Sequence, residues 1–151
     1  MSLMSLEDFT GHVGQKIGTS RWFVLDQSRI DLFADITEDH QFIHVDEEAA
    51  KPLFGSTIAH GFLSLSLLPH LTSQAGTIFP ENVKVGINYG LDKVRFLSPV
   101  PSGSKVRVRS TLREVTEKNP GQWLLKSEVV MEIEGIEKPA YFAEALTMFM
   151  T

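Results

Sequence analysis

The second half of the chain consists of long stretches in which apolar and polar residues alternate, and this pattern constrains the fold more than any other feature. Side chains two residues apart lie on one face of a strand, as Val106 and Val108 do in this pattern. Turn-forming segments rich in Pro, Gly, Asn and Ser separate the stretches. We therefore predict four long antiparallel strands in meander order, at residues 83–96, 105–117, 122–134 and 140–150.

A segment that is apolar on nearly all sides, residues 59–75, precedes these strands. Such a pattern is typical of a helix buried in a core rather than of one lying on a surface. Pro69 lies inside the segment and should bend or divide the helix, and Gly76 can end it. A buried helix followed by an antiparallel sheet predicts an α+β domain in which a curved sheet wraps the helix.

The first half of the chain is predicted to contain a strand at residues 20–25 and two helices. Asp26 precedes apolar residues at helical spacing and is a candidate N-cap. Residues 38–45 show neither a helical nor a strand period, and a short helix that begins at Asp46 is expected to stop at Pro52. Residues 38–45 are therefore predicted to form an irregular surface loop between helices, where functional side chains are commonly displayed.

The composition predicts one soluble globular domain. At 151 residues, 42% of them hydrophobic, the chain is long enough to bury a proper core. The absence of Cys excludes disulfides and agrees with the cytoplasm. A net charge of −5 disfavours nucleic acid as a partner, and no apolar run is long enough for a membrane span. Met4 is a second candidate start, so we expect the domain at residues 4–151 and treat residues 1–3 as a candidate cloning scar.

Asp39 and His44 are the candidate catalytic side chains, because one short segment carries both. A carboxylate and an imidazole on one loop can share a water or a substrate proton. Gly61, at the mouth of the apolar helix, can offer an unobstructed backbone N–H to a developing oxyanion. Together the three residues suggest acid–base chemistry on a carbonyl compound.

Each of these residues also has a simpler structural reading. Asp39 could be a capping carboxylate, His44 a packed histidine, and Gly61 a glycine that allows close packing. Ser64 and Ser66 are interpreted as small residues inside a packed helix, since no nucleophile-elbow pattern surrounds either.

A metal site is the other interpretation of this region. His40 and His44 are four residues apart, and His60 and Asp46 are near them in the sequence. However, the Glu of a zincin helix is absent and the segment is not predicted to be helical. We therefore predict no metal and no other cofactor.

Three separated blocks resemble the MaoC-like dehydratase family, which contains the (R)-specific enoyl-CoA hydratases and the nodulation-protein-N-like proteins. The blocks are DHQFIHVD at 39–46, FGSTIAHGFL at 54–63 and VRFLSPV at 94–100. They occur in the family's order, and the resemblance runs from about residue 9 to residue 150. It implies a hot-dog fold, in which a curved antiparallel sheet wraps a long central helix, usually paired into a homodimer. It also implies a hydro-lyase that adds water reversibly and syn to a trans-2-enoyl thioester, giving the (R)-3-hydroxyacyl thioester.

The resemblance also assigns roles to the candidate residues. Asp39 and His44 match the catalytic pair that positions and activates water, and Gly61 matches the glycine whose N–H binds the thioester oxygen. Where many hydratases have Asn-Pro after the catalytic Asp, this chain has Gln41-Phe42. The candidate substrate-binding residues are Phe42, Ile43, His60 and Arg95.

The expected partner is an acyl-CoA or acyl-carrier-protein thioester. Arg95, Lys105, Arg107 and Arg109 could contact the phosphates of such a carrier, although alternating basic residues on a strand usually form its solvent face. His60 could simply hold the loop that enters the helix. Two alternative functions stay open at this point: a hot-dog acyl thioesterase, and a dimeric acyl-binding module without turnover.

Overall fold

The structure is a computed structural model that describes residues 2–76 and 78–151. The α+β class is confirmed. The helices described are α1 (Leu6–Thr10), α2 (Gln27–Thr37), α3 (Phe42–Val45), α4 (Glu47–Phe54), α5 (Gly61–Ser66) and α6 (Leu68–Gln74). The strands described are β1 (Ser2–Met4), β2 (Lys16–Thr19), β3 (Phe23–Leu25), β4 (Ile78–Pro80), β5 (Val85–Phe96), β6 (Ser104–Asn119), β7 (Gln122–Ile133) and β8 (Ile136–Met150).

The large sheet has the order β2-β6-β7-β8-β5, and β3 also pairs with β6. The meander prediction is confirmed for β6, β7 and β8 but is wrong for β5, which lies antiparallel to β8. The segment between β5 and β6 explains the difference, because it is not a tight hairpin. Its Val100 is buried and accepts a hydrogen bond from the Ala59 N–H at 2.8 Å, and Pro101 bridges to Ile58. These contacts direct the chain towards the start of α5 instead of back along β5.

The strand β8 begins earlier than predicted. The chain turns at Gly135, which has a φ of +78°, and β8 continues from Ile136 through Pro139. The neighbouring β5 ends at Phe96, opposite Tyr141. Pro139 therefore lies beyond the end of β5, where its missing N–H interrupts no ladder bond on that side.

The buried helix is divided, as the position of Pro69 predicts. α5 ends at Ser66, and Pro69 lies in the first turn of α6, where a proline loses no helical hydrogen bond. Leu63 of α5 and Leu71 of α6 are buried in a core cluster with residues of β6, β7 and β8. The sheet thus wraps a broken central helix.

The N-terminal half agrees with the sequence in part. Asp26 caps α2 by accepting a hydrogen bond from the Arg29 N–H at 3.0 Å, as predicted. The strand predicted at 20–25 forms only at residues 23–25, as β3, and a separate short strand, β2, precedes the predicted range. Ser20 lies between them, where its N–H donates to the Val108 carbonyl and its Oγ accepts from the Val108 N–H.

Two predictions around residues 38–54 are wrong. Residues 42–45 form the single helical turn α3, closed by a hydrogen bond from the Asp46 N–H to the Phe42 carbonyl. α4 does not stop at Pro52 but continues to Phe54. Pro52 removes only one helical hydrogen bond, whereas Gly55, with a φ of +80°, provides the left-handed cap that ends the helix.

The residues around the predicted start of the domain, at Met4, belong to a small second sheet. Residues 2–4 form β1, which pairs in parallel with β4 in a separate two-stranded sheet. Among the helices that the structure describes, none is long and apolar enough to cross a bilayer.

Candidate active site

The structure brings Asp39, His44 and His60 together. The rings of His44 and His60 are stacked, with centroids 3.7 Å apart and planes inclined by 23°. Potential ligand atoms of the three side chains lie within 4.8 Å of one another. Asp39 is exposed, as expected for a surface loop, but His44 is only 6% exposed, so the prediction that it is displayed on the surface is wrong. The helical turn α3 carries the His44 ring inwards.

The hydrogen bonding of His44 sets its chemistry. The ring Nδ1 lies 2.7 Å from the Ile58 carbonyl oxygen, which can only accept, so Nδ1 carries the proton. The Nε2 atom of the neutral ring therefore keeps its lone pair. Burial, together with the neighbouring His60, lowers the pKa of His44 against the opposing influences of the Ile58 carbonyl and the Asp39 charge. His44 is thus a neutral base near neutral pH.

Gln27, the first residue of α2, fixes the turn that carries His44. Its Nε2 donates to the His44 carbonyl at 2.7 Å, and its Oε1 accepts from the Thr57 hydroxyl at 2.5 Å. The Ile58 N–H donates to the Ile43 carbonyl at 3.0 Å. Sequence reasoning missed Gln27 and Thr57, because nothing in their local pattern distinguishes them from ordinary polar residues.

His60 holds the backbone of the catalytic segment. Its Nε2 lies 3.0 Å from the Asp39 carbonyl oxygen and therefore donates to it. The ring is 3% exposed and packs between His44 and Phe33. His60 thus acts on the position of Asp39 through the main chain.

A cavity of about 320 Å³ opens beside His44. Gly61 lies in its wall at the first position of α5, where a backbone N–H has no acceptor within the helix. A Cβ built on Gly61 would lie 3.0 Å from the Phe96 ring, so a side chain at this position would have to displace that ring slightly. Other residues in the wall are Ile43, Ser64, Phe96 and Tyr141.

The predicted substrate-binding residues occupy different places. Ile43 lines the cavity, whereas Phe42 is 43% exposed on the outer side of the same turn. Arg95 is exposed on β5, next to Phe96, and its Nη1 donates to the Val94 carbonyl. Of the four predicted residues, Ile43 thus has the most direct access to the cavity.

The other basic residues considered for a carrier lie in ion pairs on the sheet surface. Lys105 lies 3.6 Å from Glu134, and both Arg107 and Arg109 contact Glu132, all on the neighbouring strand or at its end. These cross-strand pairs favour the interpretation of β6 as a solvent-facing strand rather than a phosphate site.

The cluster of Asp39, His44 and His60 also has the donor types of a metal site. A metal ion binds an imidazole nitrogen in the plane of the ring. The planes of His44 and His60 are nearly parallel, so the nitrogen lone pairs of the two rings do not point at one ion between them. The arrangement therefore suits proton transfer better than metal binding. Asp46 is not part of this cluster, since its carboxylate caps α4 by accepting from the Ala49 N–H.

A second cavity, of about 660 Å³, lies between the helix pair and the sheet. Phe62, Leu65 and Pro69 form its helical wall. On the sheet side, small or hydroxyl-bearing residues such as Ser127 and Ala145 leave the space open. Its volume is in the range of small-molecule sites, about 300–1,000 Å³.

The lowered pKa of His44 predicts a pH-dependent stability. The folded protein holds the ring neutral, so below the usual pKa of 6.5 the unfolded chain binds more protons than the folded one. The stabilisation is complete above this pH and is lost as the pH falls. We expect the urea midpoint of the wild type to drop between about pH 7 and pH 5 by more than that of His44→Gln.

The same comparison includes its own control. His40 is exposed, and Asp35 raises its pKa, which changes stability in the opposite direction. Both proteins contain His40, so its contribution cancels in the difference. Parallel pH profiles for the wild type and His44→Gln would show that burial does not perturb His44.

Comparison with known proteins shows which family this chain is similar to. The family model described as a MaoC like domain matches residues 8–131. The 3-hydroxyacyl-thioester dehydratase Z of Mycobacterium tuberculosis is 46% identical over 147 residues, which is 97% of this chain and 96% of the relative. Nodulation protein N of Rhizobium leguminosarum bv. viciae is also 46% identical, over 98% of this chain and 92% of its own length.

A solved structure extends the likeness to the fold. The unliganded R-hydratase of Pseudomonas aeruginosa superposes with a TM-score of 0.72 at 24% identity, covering 91% of this chain and 81% of that one. This likeness confirms the hot-dog fold. Because the family model spans most of the chain and two relatives share nearly half of its residues over almost their full lengths, the chain belongs to the MaoC-like domain family.

Proposed function

We propose that this protein is a hydro-lyase that adds water reversibly to a trans-2-enoyl thioester and forms the (R)-3-hydroxyacyl thioester. The observation that carries the proposal is the neutral His44, which lines an apolar cavity and has a ring nitrogen within 4.8 Å of the Asp39 carboxylate. The name of the M. tuberculosis relative, a 3-hydroxyacyl-thioester dehydratase, supports the same reaction class.

The chemistry requires three groups around the substrate. The water oxygen forms a bond to C3, the C2–C3 π electrons move towards the thioester oxygen, and C2 then takes up a proton. Asp39 and His44 hold the water, accept its proton and supply the proton for C2, so the two side chains return to their starting state. The Gly61 N–H stabilises the enolate-like oxygen. Because Asp39 and His44 lie close together, water and proton reach the same face of the planar enoyl group.

The substrate is proposed to be an acyl-CoA or acyl-carrier-protein thioester. Ile43 contributes to the wall of the catalytic cavity, and Phe42 and Arg95 lie at exposed positions suited to the carrier. The larger cavity along α5 and α6 is the proposed space for the acyl chain. The proposed compartment is the cytoplasm, which agrees with a chain that has no Cys.

Product analysis with crotonyl-CoA tests this function. We expect the conjugated double bond to disappear while the thioester stays intact. Release of free thiol would instead identify a thioesterase, and binding without any turnover would identify an acyl-binding module. Either result would contradict the proposal.

We also propose that the protein is a homodimer, and β5 supports this. This 12-residue strand lies at the edge of the large sheet and exposes large apolar side chains, including Ile87 at 44% and Tyr89 at 61%. A long apolar edge strand is prone to association unless another strand covers it. We expect light scattering at micromolar concentration to give twice the chain mass of 16.9 kDa.

A charge on this edge should weaken the dimer. Ile87→Lys is expected to shift the mass towards 16.9 kDa. Ile136→Lys is the matched control, because Ile136 has a similar exposure of 41% but lies at the β7–β8 turn. A wild-type protein that stays monomeric at micromolar concentration would rule out the dimer.

A further inference from the structure

Two of the hydroxyl groups that line the catalytic cavity, those of Ser64 and Tyr141, are buried and have no assigned role. Ser64 of α5 is 2% exposed and Tyr141 of β8 is fully buried, and both line the cavity beside His44 and Gly61. Neither hydroxyl has a hydrogen-bond partner among the described residues. A buried polar group without a partner is destabilising, so each of these hydroxyls calls for an explanation.

The neighbouring hydroxyls show that Ser64 is different. Ser66 donates to the Phe62 carbonyl four residues earlier, at 2.7 Å, and Ser73 donates to the His70 carbonyl. This back-bonding is the usual way in which a helical serine satisfies its hydroxyl. Ser64 does not bond back in this way, because its hydroxyl has no hydrogen-bond partner among the described residues. Its hydroxyl therefore remains available to the cavity.

The position of Ser64 on the helix aims it at Gly61. Side chains on an α-helix tilt towards the N-terminus and cover the turn before their own Cα. Ser64 is three residues after Gly61, which has no side chain to occupy that space. An oxygen atom bound against Gly61 would therefore lie within the space that the Ser64 side chain covers.

The chemistry of Tyr141 restricts what it can bind. Burial raises the pKa of its phenol, so the group stays protonated and acts as a hydrogen-bond donor over the working range of pH. The rest of the cavity wall is largely apolar, with residues such as Ile58, Val100 and Ala140. Two neutral donors in an apolar cavity suit an acceptor oxygen on which negative charge develops.

We infer that the hydroxyls of Ser64 and Tyr141 donate hydrogen bonds to the thioester carbonyl oxygen of the substrate and stabilise it as an enolate. The attacking water is the poorer partner, because hydrogen bonds donated to its oxygen would lower its nucleophilicity. This inference rests on the proposed function for its substrate class. It adds two side-chain donors to a site in which the backbone of Gly61 is otherwise the assigned donor.

Turnover of crotonyl-CoA by Ser64→Ala and Tyr141→Phe tests the inference. Each variant removes one oxygen atom, and each should lower kcat by about tenfold to a hundredfold while changing KM much less, since the contacts strengthen as charge develops. Ser66→Ala is the matched control and should keep the wild-type kcat. The melting temperatures of Ser64→Ala and Tyr141→Phe should equal or exceed that of the wild type, because no internal hydrogen bond is lost.

A spectroscopic measurement separates this inference from the proposed function. Acetoacetyl-CoA forms an enolate that absorbs in the near ultraviolet, and donors at the carbonyl oxygen increase the enolate fraction. We expect this absorbance to rise on binding to the wild type and Ser66→Ala, and to rise less with Ser64→Ala and Tyr141→Phe. This result would support the inference even if the wild type failed to hydrate crotonyl-CoA.

Three results would overturn the inference. The first is an enolate absorbance that does not rise with the wild type. The second is turnover and enolate absorbance in Ser64→Ala and Tyr141→Phe that match the wild type. If the wild type hydrates crotonyl-CoA, this second result contradicts the inference but not the proposed function. The third is a lowered melting temperature with unchanged enolate absorbance, which would show that the hydroxyls hold a structural water.

Discussion

Replacement of Asp39 by Asn, or of His44 by Gln, is expected to lower kcat on an enoyl thioester by about a hundredfold or more. Asp39→Asn removes the negative charge and the proton acceptor from an exposed side chain. His44→Gln removes the free Nε2 but keeps a group that can donate to the Ile58 carbonyl. Steady-state kinetics on crotonyl-CoA, with thermal melting as the check on folding, measures both effects.

The choice of the His44 variant follows from its burial. His44→Ala would leave the Ile58 carbonyl without its donor and remove the ring that stacks on His60, so lost activity could reflect lost structure. If Asp39 and His44 hold the same water, the double variant Asp39→Asn/His44→Gln should be scarcely slower than the worse single variant. Multiplication of the two effects would indicate independent roles, and near-normal turnover in a folded single variant would remove the catalytic assignment.

Gly61→Val is expected to lower kcat/KM by about 10²–10³ or more, the size of effect seen when an oxyanion donor is lost. The valine side chain would occupy the approach of the thioester oxygen to the Gly61 N–H. It would also contact Phe96, whose ring lies 3.0 Å from a Cβ at this position. Hydration kinetics and the thermal transition of Gly61→Val should therefore be measured together.

A smaller substitution separates obstruction of the substrate from a clash with Phe96. Gly61→Ala, Phe96→Leu and the double variant should be compared, since leucine at position 96 makes room for the new methyl group. If the methyl group blocks the thioester, the double variant stays slow. Recovery of the double variant to the rate of Phe96→Leu would show that Gly61 is a packing glycine and that the oxyanion donor lies elsewhere.

Local patterns were sufficient to predict most elements of this fold. Alternation located the long strands, and Asp26 and Pro69 marked a helix start and a helix break, because each effect depends on residues close in sequence. The place of β5 could not be derived in this way. Its pairing with β8 depends on how residues 97–103 pack against residues 58–59, which is a contact between distant segments.

The geometry of the site also depends on contacts between segments that are distant in the sequence. The proximity of Asp39 and His44 follows from their five-residue separation, but the burial of His44 depends on the turn α3 and on Gln27, which lies 17 residues earlier. Tyr141 enters the cavity from β8, 80 residues after Gly61 in the sequence. The sequence pattern predicts a packing role for Ser64, since only the structure shows that its hydroxyl does not bond back to the helix.

In the proposed reaction, Asp39 and His44 add water to one face of an enoyl thioester. The most direct test is the reaction of crotonyl-CoA in D₂O, with the configuration at C2 and C3 of the product determined by NMR after conversion to a chiral derivative. We expect an (R)-3-hydroxyacyl thioester with a single deuterium at C2, added to the same face as the hydroxyl group. An (S) product, deuterium on the opposite face, or cleavage of the thioester would contradict it.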